Sequence, residues 1–184
     1  MTAWFDQVHR FTVEEILRMV ELGALPEDTR VELIDGLLID RERPEPAVVW
    51  TVYRLRRLLE RVLGDGAVVL EGKPVVVGTS SLPEPHLSVL PAEAVDRTRL
   101  PRANECLLVV EVAFGSLARD LAKAASYASA PVPVYWLVDL EAGELRVYEE
   151  PGRGGYRWLR TYRGHEEVEV PGTTQRVRVS EVLR

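Results

Sequence analysis

The apolar run Leu107-Leu108-Val109-Val110-Glu111-Val112-Ala113 carries one carboxylate, and no other stretch constrains the fold of this chain more. A run of this length between turn signals reads as a strand covered on both faces. Glu111 therefore needs a cation, a hydrogen-bond partner or a metal, since an uncompensated buried charge costs roughly several kcal/mol. With Cys106 at its head, the run predicts a strand over 106–113. Gly115-Ser116 then turns the chain into an alanine-rich helix over about 117–129, and Val132 to Val138 forms a second strand. Lys123 lies twelve positions beyond Glu111, and the helical period sets Asp120 and Tyr127 on the same face as Lys123. An acid and a lysine thus face one cleft.

The remaining segments supply a scaffold. Thr12 followed by Glu15 predicts a capped helix that stops near Gly23. Val31 to Asp40 reads as two short strands around Asp35-Gly36, a strong hairpin signal. Pro44 and Pro46 break the chain before a helix over 49–63, whose Val52, Leu55, Leu59 and Val62 face inward. A strand over 67–77 is interrupted at Gly72 and Pro74, and His86 to Leu90 is a short strand ended by Pro91. The polar segment 92–104 reads as a surface connection placed to border a substrate cleft. Residues 144–149 and 156–162 pair antiparallel, and the tail adds one or two edge strands. Strands and helices without strict alternation predict a mixed central sheet flanked by helices, α/β or α+β by convention. The length predicts one domain over residues 1–184.

Composition narrows the function classes only a little. A net charge of −6 argues against a surface that is basic throughout, but leaves room for a local basic groove. No stretch suits a membrane span or a secretion leader, so a cytoplasmic protein is expected. Cys106, the single cysteine, reads as a small buried hydrophobe. Scarce asparagine, glutamine, cysteine and methionine fit a thermophile. Of 23 cationic residues two are lysines, Lys73 and Lys123, and the rest are arginines. In so arginine-rich a chain, a helix lysine opposite a strand acid points to a need for a compact ammonium.

Glu32, His86, Glu111 and Lys123 all fall at element ends or inside apolar runs, so they can meet. Two oxygen or nitrogen donors from neighbouring strands can hold a divalent ion beside a lysine, the economy of a metal-dependent nuclease. Alternatively, Glu111 and Lys123 form a buried ion pair, with Glu32 and His86 elsewhere on the surface. Tyr156, Trp158 and Tyr162, interleaved with Arg157, Arg160 and Arg163, offer either a nucleic-acid face or an amphipathic edge under an arginine row.

Glu32-Leu33-Ile34-Asp35-Gly36, Leu82-Pro83-Glu84-Pro85-His86, Val109-Val110-Glu111-Val112, Ser116-Leu117-Ala118-Arg119-Asp120, Lys123 through Tyr127 and Val132-Pro133-Val134-Tyr135-Trp136-Leu137-Val138-Asp139 together resemble the Uma-two family. The resemblance runs in order over nearly the whole chain. It implies a restriction-endonuclease-like PD-(D/E)XK fold and a metal-dependent DNA endonuclease. Glu32 then matches the family's hairpin glutamate and Glu111 its core metal-binding acid. Lys123 matches the lysine that has moved onto the following helix, which fits Ala113 at the usual lysine position.

Two features depart from the family pattern. Pro85-His86 stands where Pro-Asp is usual, and Val48 lies about where a histidine is expected. His86 can ligate a metal itself, with manganese, zinc or cobalt preferred to magnesium, or Glu84 can reach in instead. The cofactor implied is a divalent metal, Mg or Mn. Expected partners are DNA and a second copy of the chain, with no membrane. The alternative is an inactive relative that binds DNA or dimerises.

Overall fold

The computed structural model describes residues 8–26 and 28–183. Its elements are α1 (Val13–Glu21), β1 (Val31–Ile34), β2 (Leu37–Asp40), α2 (Pro46–Leu63), β3 (Ala67–Glu71), β4 (Leu87–Pro91) and β5 (Leu108–Ala113). There follow α3 (Leu117–Ser129), β6 (Val134–Asp139), β7 (Glu144–Gly152), β8 (Gly155–Arg163), β9 (Glu167–Glu169), β10 (Arg176–Arg178) and α4 (Val179–Leu183). Six strands form one mixed sheet in the order β3-β4-β5-β6-β7-β8. Among the described strands of this sheet only β5 and β6 run parallel, because α3 carries the chain back across the sheet between them.

Strand β5 is buried along its whole length, which explains its nearly unbroken apolar sequence. Leu108, Val110 and Val112 pack with Val52, Leu55 and Leu59 of α2 and with Trp136. Val109 and Ala113 face the other way, with Tyr127 of α3 and with Tyr135 and Leu137 of β6. Strand alternation sets Glu111 on that second face, beneath α3. Tyr135 anchors the helix by donating its hydroxyl to the Asp120 carbonyl at 2.9 Å.

The β1–β2 hairpin lies outside the main sheet. Asp35 and Gly36 both have positive φ, at 48° and 81°, as a tight hairpin turn requires. The hairpin docks on the segment before β4: Leu82 N–H donates to the Leu33 carbonyl at 2.7 Å, and Gly36 N–H to that of Ser80 at 2.7 Å. This docking brings Glu32 to the main sheet.

Several boundaries differ from expectation. Pro46 is the first residue of α2 rather than a break, since a proline at that position loses no helical hydrogen bond. Strand β5 starts at Leu108, two residues past Cys106, which is buried after a short turn. Burial pushes the Cys106 thiol up to about 12, as suits an inert core residue. Segment 92–104 does not border the Lys123 cavity; its Thr98, Leu100 and Arg102 line a depression beside α1. The capping box is present: Thr12 N–H donates to the Glu15 carboxylate at 2.7 Å, and Glu15 N–H to Thr12 Oγ1 at 3.2 Å. The tail pairs β9 with β10 and ends in α4, a helix its sequence had not suggested. Among the described residues no helix is long and apolar enough to cross a membrane.

Candidate active site

Three elements converge on one ammonium. Lys123 Nζ donates to Glu111 Oε1 at 2.9 Å, stands 3.0 Å from Glu32 Oε2, and lies 3.9 Å from Asp120 Oδ1. Glu32, Glu111, Asp120 and Lys123 are all buried. The ion-pair expectation therefore holds for Glu111 and Lys123, but its companion, Glu32 out on the surface, does not. Hairpin docking is the reason, and the backbone N–H of Glu84 adds to it by donating to Glu32 Oε1 at 2.9 Å.

Both oxygens of Glu111 are engaged. Tyr127 donates its hydroxyl to Oε1 at 3.3 Å, while the backbone N–H and ring Nδ1 of His86 approach Oε2. The Val112 N–H lies 3.2 Å from the same Nδ1. It can bond there only when that nitrogen carries no proton, so the two contacts belong to different tautomers.

The charges adjust to one another. Burial pushes the Glu111 carboxyl up, but the Lys123 ammonium and His86 outweigh it and hold the group at about 2. Burial lowers Lys123, yet Glu111 and Glu32 drive it above its ordinary value and keep it charged. Asp120 is pushed up to about 6 by burial and by the neighbouring Glu111, against a hydrogen bond from Ser116 Oγ at 2.7 Å. Burial and Glu111 also raise the Tyr127 hydroxyl.

Glu32, His86, Glu111, Asp120 and Lys123 line a cavity of about 500 Å³. Its rim carries cations to which no sequence pattern drew attention. Arg41 pairs with Glu84, and Arg119 on α3 reaches Glu42 at 2.9 Å across the mouth. Glu84 thus lines the cavity while its carboxylate serves Arg41. Asp120 and Tyr127 were visible on the Lys123 face from helical spacing; Arg41 and Arg119 gave no such signal, because their partners are remote in sequence. Val48, in the first turn of α2, is buried and also lines the cavity.

Glu111 and His86 are the adjacent donors that a metal could use. Among the described residues no group of three or more His, Cys, Asp or Glu side chains is arranged for a metal. The donor set does not suit a cation that needs a full protein cage. It fits an ion that keeps several waters and takes one carboxylate and one imidazole.

The family model for Uma2, described as "Putative restriction endonuclease", matches residues 13–180. Among solved structures, the crystal structure of a putative nuclease belonging to DUF820 from Anabaena variabilis ATCC 29413 matches with a TM-score of 0.77 at 15% identity. The match covers 94% of this chain and 97% of that one, and at such identity it speaks to the fold alone. No curated protein sequence matches. The six-stranded mixed sheet, the β5-α3-β6 crossover and a family match across most of the chain lead to one conclusion: the chain belongs to the Uma2 family and has a restriction-endonuclease-like fold.

Proposed function

We propose that the chain is a divalent-metal-dependent nuclease that hydrolyses phosphodiester bonds in DNA. The observation that carries this reading is Lys123 held between Glu111 and Glu32 in an open cavity whose other lining residues include Arg41 and Arg119. Glu111 and His86 would hold the metal. When bound, the ion would polarise a phosphoryl oxygen and lower the pKa of its water. Lys123 stays protonated beside two carboxylates, so it acts as a fixed positive charge for the phosphoryl group and not as a base. Glu32 holds that ammonium in place and, with Glu111 given to the metal, is the acid left to orient water. Tyr127 and the His86 backbone N–H fix the Glu111 carboxylate, which stays ionised throughout the neutral range.

The inactive, DNA-binding alternative has one observation in its favour, the lack of a third convergent donor among the described residues. Calorimetry with manganese and plasmid nicking decide between them. The nuclease reading expects manganese binding and metal-dependent nicking by the wild type, with both lost in Glu111→Ala. His86→Asp should restore oxygen ligation and raise activity with magnesium relative to manganese. Absence of nicking with any divalent metal would overturn the nuclease reading.

A further inference from the structure

Trp50, Tyr53, Arg54, Arg57 and Arg61 of α2 fall at relative positions 0, 3, 4, 7 and 11, which a helix places along one stripe. That stripe lies opposite the buried row of Val48, Val52, Leu55 and Leu59. Trp50 is 60% exposed and Tyr53 47%, and their rings meet edge to face with centroids 6.0 Å apart. Two large rings thus stand in water beside arginines, an arrangement with no packing role inside the fold.

The cations of the stripe have little internal use. Among the described residues Arg57 has no carboxylate within 4.0 Å. Arg54 bonds a neutral hydroxyl, that of Thr51, at 3.2 Å. Arg61 reaches Glu181 at 3.8 Å in an exposed pair. Strand β8 is the instructive contrast. Its Trp158 is also exposed, but Arg157, Arg160 and Arg163 pair with Glu150, Glu149 and Glu144 of β7. Among the described residues Arg54 and Arg57 on α2 thus keep no carboxylate partner and can face an anionic polymer, whereas each of these β8 arginines has one. The first part of α2 also adjoins the Lys123 cavity, whose wall includes Pro44, Glu45 and Val48. From Trp50 to Arg61 the stripe extends about 16 Å along the helix.

We infer that the α2 stripe binds single-stranded nucleic acid, with Trp50 and Tyr53 stacked on unpaired bases and Arg54, Arg57 and Arg61 on phosphates. Stacking selects the single strand, because a duplex hides its base faces within the helix. That the bound strand leads into the cavity rests on the nuclease reading; the binding itself does not.

The test is fluorescence anisotropy in EDTA, where no metal-dependent cleavage occurs. The probes are a labelled oligothymidylate of about 15 nucleotides and a blunt duplex of the same length. Trp50→Ala and Arg57→Ala should each weaken oligothymidylate binding about tenfold, with duplex binding changed less than about twofold. Trp50→Phe keeps a stacking face and should recover most of the affinity, and Arg157→Ala on β8 should change nothing. Arg57→Ala should also make the salt dependence shallower by about 0.7 in log K against log salt. Unchanged oligothymidylate affinity in both alanine variants would overturn the inference. So would a duplex loss as large as the single-strand loss. If Trp50→Ala turns a dimer into a monomer in sedimentation while strand binding stays intact, the stripe belongs to a second copy and the inference fails. Strand binding that persists in EDTA while no metal supports nicking would leave this inference standing and remove the nuclease reading alone.

Discussion

Lys123 on α3 and Glu32 on β1 stand 91 residues apart in the chain and 3.0 Å apart in space. With Glu111, they make a buried cluster whose parts are tolerable only together. Lys123→Ala would leave two buried carboxylates without their cation, a loss of about 3–5 kcal/mol. The urea midpoint of the variant should fall accordingly. Combining Lys123→Met with Glu32→Gln and Glu111→Gln, which removes the charges together, should recover much of that loss.

The pH dependence of stability has two opposed limbs. Asp120 is pushed up to about 6 in the folded protein, from a usual 3.8, so the fold holds this proton more tightly than the unfolded chain does. Its stabilising effect is full below the lower value and is lost as pH rises through about 6. Glu111 is the reverse: held at about 2 against a usual 4.5, it stabilises the fold above 4.5 and ceases to as pH falls towards 2. Asp120→Asn should flatten the stability profile between about pH 4 and 6 and stabilise the protein at pH 7 by roughly 1–3 kcal/mol. Chemical denaturation over that pH series measures it.

Gly36 controls the hairpin that delivers Glu32. Its φ is 81°, and a Cβ built there would stand 2.6 Å from Arg10 Cβ, where the backbone of Arg10 also lies close. Gly36→Ala combines a left-handed backbone penalty of about 1–2 kcal/mol with that clash. It should lower the melting temperature and, by loosening the hairpin, cut nicking activity more than an equally destabilising change in α1.

Arg119 allows binding to be tested apart from stability. Its pair with Glu42 is exposed and should contribute less than about 1 kcal/mol to folding. Arg119→Ala should therefore leave the urea midpoint nearly unchanged while weakening oligonucleotide binding at the cavity. Glu42→Ala frees the guanidinium and should strengthen binding at low salt. Equal affinities in both variants would remove Arg119 from the substrate path.

Much of this architecture is written locally. The capping box of Thr12 and Glu15, the Asp35-Gly36 turn and the apolar run of β5 depend on neighbours in sequence, and the structure has each of them. The Glu111–Lys123 pairing was legible for the same reason, since β5 and α3 are consecutive. The start of α2 was misread because a proline looks the same whether it ends one segment or opens a helix. The role of 92–104 was misread because polarity marks a surface segment without saying which surface.

The sequence alone determined that a carboxylate and a lysine would share one face of a strand-helix unit, because period and spacing are properties of the chain. Only the tertiary structure decided what completes that face. Glu32 arrives by hairpin docking, His86 by strand order, and Arg41 and Arg119 by pairing with Glu84 and Glu42. None of these meetings follows from local rules, since each joins segments that the packing of the hairpin, β4 and α3 brings into contact. Glu111 entered as a charge in need of a partner; the packed structure supplies it with a lysine, a tyrosine and a histidine.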